Sequence, residues 1–160
     1  FQKSEPFDSG AFERCVMAFG NNADFIVVPD IVAGGLESLR FSLSWLSWLR
    51  SNVSTHLLLA VQDGIGADDV RQLIGPRMGI FVGGTTEWKE RSLSLWGSVA
   101  KEMKVWLHVG RVNSERRVAL CAAVGATSFD GTSVTRFSCT AGRLDRARRQ
   151  PDLFGMRFGS

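Results

Sequence analysis

The feature that most limits what this chain can become is an alternation. Short apolar runs at residues 25–29, 56–61, 79–82, 105–109 and 126–129 each stop at a polar or glycine-rich tip, and the first four of them lead on to helical spacing. No hairpin signal joins one run to the next. Runs such as FIVV and HLLLAV are unbroken, as expected of parallel strands covered on both faces. Strand, loop and helix repeated about five times specify an α/β fold with a parallel sheet. Two architectures compete, a doubly wound sheet and a (β/α)8 TIM-type barrel. No GxGxxG follows a strand, which weakens the dinucleotide-binding doubly wound option. Polar groups at every strand's C-terminal end favour the barrel. A complete barrel needs roughly 200 residues or more. The 160 residues here therefore read as one barrel domain, 1–160, supplying about five C-terminal units. Either the N-terminal strands are missing or the barrel is a reduced form. The chain opens on Phe1 rather than Met, and further sequence is expected upstream.

The helices follow from spacing and punctuation. In SGAFERCVMAF, Phe12, Cys15, Val16 and Phe19 recur at helical intervals, with Asp8 or Ser9 as cap and Gly20-Asn21-Asn22 as stop. A longer helix is expected over 35–50. Trp45 and Trp48 lie on it, and packing is preferred there over base stacking because large aromatics dominate cores and interfaces. Further helices are expected over 67–73, with Asp68 and Asp69 in the first turn, over 92–103 and over 114–124. The segment GGTTEWK before residue 92 reads as an open loop.

Composition narrows the class without choosing a function. With 44% hydrophobic and 22% charged residues the chain is an ordinary globular one with a real core. Its formal charge of +3 leans toward an anionic partner such as nucleic acid. Cys15, Cys121 and Cys139 are far apart with no CxxC, which suits a reducing compartment and excludes a four-cysteine zinc site. No run is long and apolar enough for a membrane span, and no signal peptide opens the chain, so a cytoplasmic location is expected.

The candidate chemistry sits at the strand tips: Asp30, Gln62-Asp63-Gly64, Gly83-Gly84-Thr85, Gly110-Arg111 and Asp130. The last of these belongs to VGATSFDGTSVTR, where a small apolar run delivers one acid between Gly125 and Gly131. By itself that pattern is better described as a strand running into a helix N-cap. On a barrel, however, the five tips converge on one pocket. A carboxylate there can accept from the N–H and NH2 edge of a guanine-like base, and Gln62 can donate or accept. Gly83 and Gly84 let the backbone approach a flat ring with open amides. A second carboxylate beneath a sugar can attack its anomeric carbon, as in retaining glycosyl transfer. His108 reads as a buried, hydrogen-bonded histidine rather than a metal ligand. Arg111 can pair with Asp130 or with a phosphate. The basic segment RLDRARRQ is a solvated helix end or a phosphate contact.

The segments DFIVVPDIV, LAVQDG, GIFVGGTTEWK, HVGRVNSERR and GATSFDGTSVTR, in this order and spacing, resemble the tRNA-guanine transglycosylase superfamily. They are more similar to its 7-deazaguanine DNA-modifying branch of phages and bacterial islands. The resemblance covers about residues 5–137. It implies that Asp130 is the nucleophile, that Asp30, Gln62 and the backbone at Gly83, Gly84 and Thr85 hold the base, and that Arg136 approaches the nucleic-acid backbone. It implies exchange of guanine for a free 7-deazaguanine base, in DNA rather than tRNA, inside a bacterial or phage-infected cell. No cofactor or metal is implied, and a homodimer is possible within the resemblance. Two departures stand out. Only Cys139 lies where the tRNA enzymes carry their cysteine-rich zinc site, which argues against tRNA as substrate. Asp8-Ser9-Gly10-Ala11-Phe12 imitates the family's general-base motif, but no apolar strand precedes it, so it reads as a helix cap and the true counterpart is expected upstream. A non-catalytic, nucleic-acid-binding barrel subunit is the remaining alternative, and the presence of both Asp30 and Asp130 counts against it.

Overall fold

A computed structural model describes residues 6–131. It is an α/β structure with one sheet of five parallel strands in the order β1-β2-β3-β4-β5. The strands are β1 (Phe25–Val27), β2 (His56–Val61), β3 (Met78–Val82), β4 (Leu107–Val109) and β5 (Ser128–Phe129). The helices are α1 (Ser9–Phe19), α2 (Gly35–Asn52), α3 (Ala67–Val70), α4 (Thr86–Met103) and α5 (Glu115–Ala123). No antiparallel pair occurs among these strands, as the alternation in the sequence requires. No described helix is long and apolar enough to cross a membrane.

Side-chain alternation divides each strand between two environments. Leu57, Leu59 and Val61 of β2 join Ile80, Val82, Leu107 and Val109 in the core shared with the helices. Leu58 and Ala60, also buried, fall outside that cluster because they point to the sheet's other face. That second face is concave. In a flat sheet β1 and β4 would lie about 14 Å apart, three strand spacings. Yet the ring of Phe25 on β1 lies 5.0 Å from that of His108 on β4 and 5.7 Å from that of Trp106. The sheet curls into a half-barrel, and its inner wall is lined by Phe25, His56, Phe81, Trp106 and His108.

Local chemistry explains most element ends. Asp8 caps α1, its carboxylate accepting from the Ala11 amide at 2.8 Å. This is the capping role expected of Asp8, in place of a general-base motif. Trp45 meets Phe12 of α1 at 5.3 Å and Trp48 at 5.9 Å, so Trp45 packs α1 against α2. Helix α4 corrects the sequence reading, which began it at residue 92. Thr85 is its N-cap, accepting from the Trp88 amide, and the helix starts at Thr86. The two glycines hid this start, because they read as loop while a good cap stood directly after them. The extra turn matters, since it brings Lys89 to the strand tips. Helix α3 is shorter than expected, one turn with the Asp69 carboxylate accepting from the Gly66 amide. Strands β4 and β5 begin two residues later than their apolar runs.

Candidate active site

At the C-terminal ends of the strands lies a cleft of about 340 Å³. Eight of the residues singled out from the sequence line it: Asp30, Gln62, Asp63, Gly83, Gly84, Thr85, Gly110 and Arg111. Asp130 stands beside it, joined through the backbone of Arg111. Arg136 and the basic segment after it lie outside the described residues. The structure thus brings together every described member of the expected set, but several of them work differently from expectation.

Gln62 is 2% exposed and both ends of its amide are engaged. Its Oε1 accepts from the Ala33 amide at 2.7 Å and its Nε2 donates to the Ile31 carbonyl at 2.8 Å. It therefore fixes the loop after β1, which carries Asp30, and has one lone pair and one N–H left for a ligand. Changing Gln62 to Glu turns the donor facing Ile31 into a carboxylate oxygen facing a carbonyl. We expect a loss of about 1–3 kcal/mol in urea unfolding, with weaker binding of any ligand that Asp30 holds. Unfolding at the wild-type urea midpoint would show that the loop does not depend on this amide.

Of the two glycine amides read as open at the β3 tip, that of Gly83 is taken, its N–H donating to the Val61 carbonyl. Beside the pair, the Thr85 N–H donates to Asp63 Oδ2 at 2.8 Å. Thr85 Oγ1 donates to Asp63 Oδ1, also at 2.8 Å. Desolvation tends to raise the Asp63 carboxyl, but the two Thr85 hydrogen bonds outweigh it and hold the group below its usual range. Gly84 has φ +77°, and a Cβ there would stand 2.5 Å from Asp63 Oδ2. The glycine is required by this packing as well as by any approach of a ligand.

The two acids expected to carry chemistry are pushed in opposite directions. Burial raises the Asp30 carboxyl, with no compensating partner among the described residues beyond its own backbone. Asp130 is held low, first by a hydrogen bond from His108, then by the Arg111 amide and by the charge of Lys89, against an opposing effect of burial. Its Oδ2 lies 3.1 Å from His108 Nε2, and its Oδ1 accepts from the Arg111 N–H at 2.9 Å. The expected pairing of Arg111 with Asp130 is thus made by the main chain. It requires Arg111 to adopt φ +59°. Ala33, whose amide meets Gln62, has φ +59° as well. Left-handed non-glycine residues are strained by about 1–2 kcal/mol, and both of these sit at the cleft, held by site side chains.

Three contributors escaped the sequence reading. Lys89 is buried, and its ammonium donates to the Gly110 carbonyl. Burial, followed by the charges of Arg117 and Arg111, lowers its pKa. Nothing in a loop-like GGTTEWK pointed to it. Phe81 forms part of the cleft wall, and strand alternation from Gly83 could have placed it there. The pairing of His108 with Asp130 follows from the register His108↔Ser128, which is decided only when the strands pair. Compared with protein families, curated proteins and solved structures, the chain matches none.

Proposed function

We propose that this chain carries the base-exchange site of a (β/α)8-type guanine transglycosylase. On this reading it replaces guanine in DNA by a 7-deazaguanine through a covalent aspartyl-sugar intermediate. The observation that carries the proposal is the pair of carboxyl groups with opposed environments around one cleft. Separating the protonation behaviour of two acids is how a site gives them different roles. Asp130 is kept as a carboxylate, the form a nucleophile needs. Asp30 is a desolvated acid in want of donors, and the N1–H and 2-NH2 of a guanine-like base supply two side by side.

The chemistry balances without further reagents. The C1′–N9 bond breaks with its electron pair leaving on guanine, while an Asp130 oxygen bonds to C1′. The departing base takes a proton from solvent. In the return half the incoming base gives its N9 proton to solvent, and N9 displaces the carboxylate from C1′. Two inversions retain the stereochemistry. Asp130 also stabilises the oxocarbenium-like charge that develops between them. The positive formal charge of the chain suits a polyanionic substrate. The test is incubation with a labelled DNA oligonucleotide and a free 7-deazaguanine, read by mass of the product strand and by trapping on denaturing gels. Exchange into tRNA but not DNA would move the proposal to the other substrate, and exchange into neither would remove it.

Asp30→Asn separates recognition from folding. The amide presents an NH2 toward the donors of the base, so affinity for free 7-deazaguanine in calorimetry should fall about tenfold or more. Folding should respond oppositely. Burial disfavours the charged form of Asp30, so at neutral pH the ionised acid opposes folding. That opposition fades as pH falls and the acid protonates. The variant should thus melt higher than wild type at neutral pH, and the difference should shrink in acid. Unchanged affinity would place Asp30 away from the base.

A further inference from the structure

We propose that His108 is the positioning residue of Asp130, held as its Nε2–H tautomer in a one-way chain of donors that runs from Trp106 through Ser128 to the carboxylate. The inference rests on the reading of Asp130 as a nucleophile, and it deepens that reading. An indole N–H can only donate. Trp106 Nε1 lies 2.8 Å from Ser128 Oγ and so occupies a lone pair of that oxygen. The hydroxyl has one hydrogen, and His108 Nδ1 stands 2.8 Å from it. An ionised Asp130 can only accept, so Nε2, 3.1 Å from its Oδ2, carries the proton, and in the neutral ring Nδ1 accepts from the Ser128 hydroxyl. The two ends, an indole that only donates and a carboxylate that only accepts, set the direction of the bonds between them.

The ring that carries this proton is held in place. His108 is 4% exposed. It stacks on Phe81 at 5.1 Å with planes 14° apart, and Phe25 packs against it at 5.0 Å. Its neighbours on β1 and β3 are therefore uncharged rings, while Ser128 of β5 and Asp130 just after it face the two ring nitrogens. The groups acting on Asp130 are His108 from β4, the Arg111 amide from the following loop and Lys89 from α4. With one donor on each oxygen, the plane of the carboxylate is set.

This arrangement favours one half of the exchange over the other. A hydrogen bond to a carboxylate is stronger than one to the neutral ester that it becomes. His108 therefore stabilises Asp130 as it leaves C1′, and assists the return half more than the first attack. Removing the donor should slow release of the sugar, so that the covalent enzyme–DNA adduct accumulates.

The experiment compares wild type with His108→Phe, which keeps the stacking, His108→Gln, which restores an N–H near Nε2, and Ser128→Ala, which removes the donor to Nδ1 with little change in shape. Two measurements need no activity. Nitrogen-15 imidazole spectra should show His108 protonated on Nε2 in wild type, with the Nδ1 resonance losing its hydrogen-bond shift in Ser128→Ala. Carbon-13 titration of the Asp130 carboxyl should move upward in His108→Phe and back in His108→Gln. The third measurement is the steady-state fraction of trapped oligonucleotide adduct. It should rise as the return half slows about tenfold in His108→Phe, and fall back in His108→Gln. Protonation on Nδ1 in wild type, or an Asp130 titration indifferent to His108→Phe, overturns the relay. Spectra and titration as expected in a protein that exchanges no base would leave the relay standing and remove the transglycosylase reading. Exchange with an unchanged adduct fraction in His108→Phe would overturn the assistance to the return half.

Discussion

Asp130→Asn should lower base exchange by about 10⁴-fold or more while leaving affinity for the free base nearly intact. A nucleophile acts only in the transition state and the covalent intermediate, so its loss appears in kcat rather than in ground-state binding. The structure adds a reason why the amide cannot substitute. Both Asp130 oxygens face donors, His108 Nε2 on one side and the Arg111 N–H on the other. An asparagine offers one acceptor and one NH2, so one of those donors must confront another. The variant should also be less stable at neutral pH. The Asp130 carboxyl is lower in the folded protein than in the free chain. Its contribution is therefore complete above the unfolded pKa and lost as pH falls through the folded one. The gap between variant and wild type should accordingly close in acid. Denaturing electrophoresis with labelled oligonucleotide reads the chemistry, and calorimetry reads the binding. A variant that still traps the oligonucleotide, or exchanges at the wild-type rate, would show that another group attacks.

The largest effect on folding is expected at Leu59. It is 0% exposed at the middle of β2, paired in register with Ile80 of β3, and belongs to the core shared with the helices. Leu59→Ala should cost about 2–5 kcal/mol, the transfer free energy of the lost methyl groups plus a cavity that close-packed neighbours only partly fill. Against a total stability of about 5–15 kcal/mol, that is a large share. The same strand leads directly into Gln62 and Asp63, which tie down the loops after β1 and β3. Base affinity should thus fall with stability as the denaturant midpoint is approached. A loss below about 1 kcal/mol in urea titration would mean that the space left by Leu59 collapses freely.

The sequence by itself determined the parallel α/β sheet, the order of its elements and the residues at the strand tips. Those features are local or periodic. An unbroken apolar run as short as 57–61, ended by Gln62-Asp63-Gly64, reads as a strand covered on both faces, and a tip residue is placed by where its strand stops. The Asp8 cap and the packing role of Trp45 were legible for the same reason, since each depends on neighbours within a few positions or on bulk. Tertiary structure alone decided what each tip residue does. Gln62 and Asp63 both looked available, yet one is engaged by a loop 29 residues away in sequence and the other by Thr85. Lys89 became part of the cleft because Thr85 starts α4 a turn and a half early. His108 acquired Asp130 through the pairing of β4 with β5, and its aromatic walls through the curl that carries Phe25 of β1 to within 5.0 Å. Strand register and sheet curvature are set by the packing of the whole core. Spacing along the chain therefore names the groups at the site, while only the folded sheet settles their partners and so their chemistry.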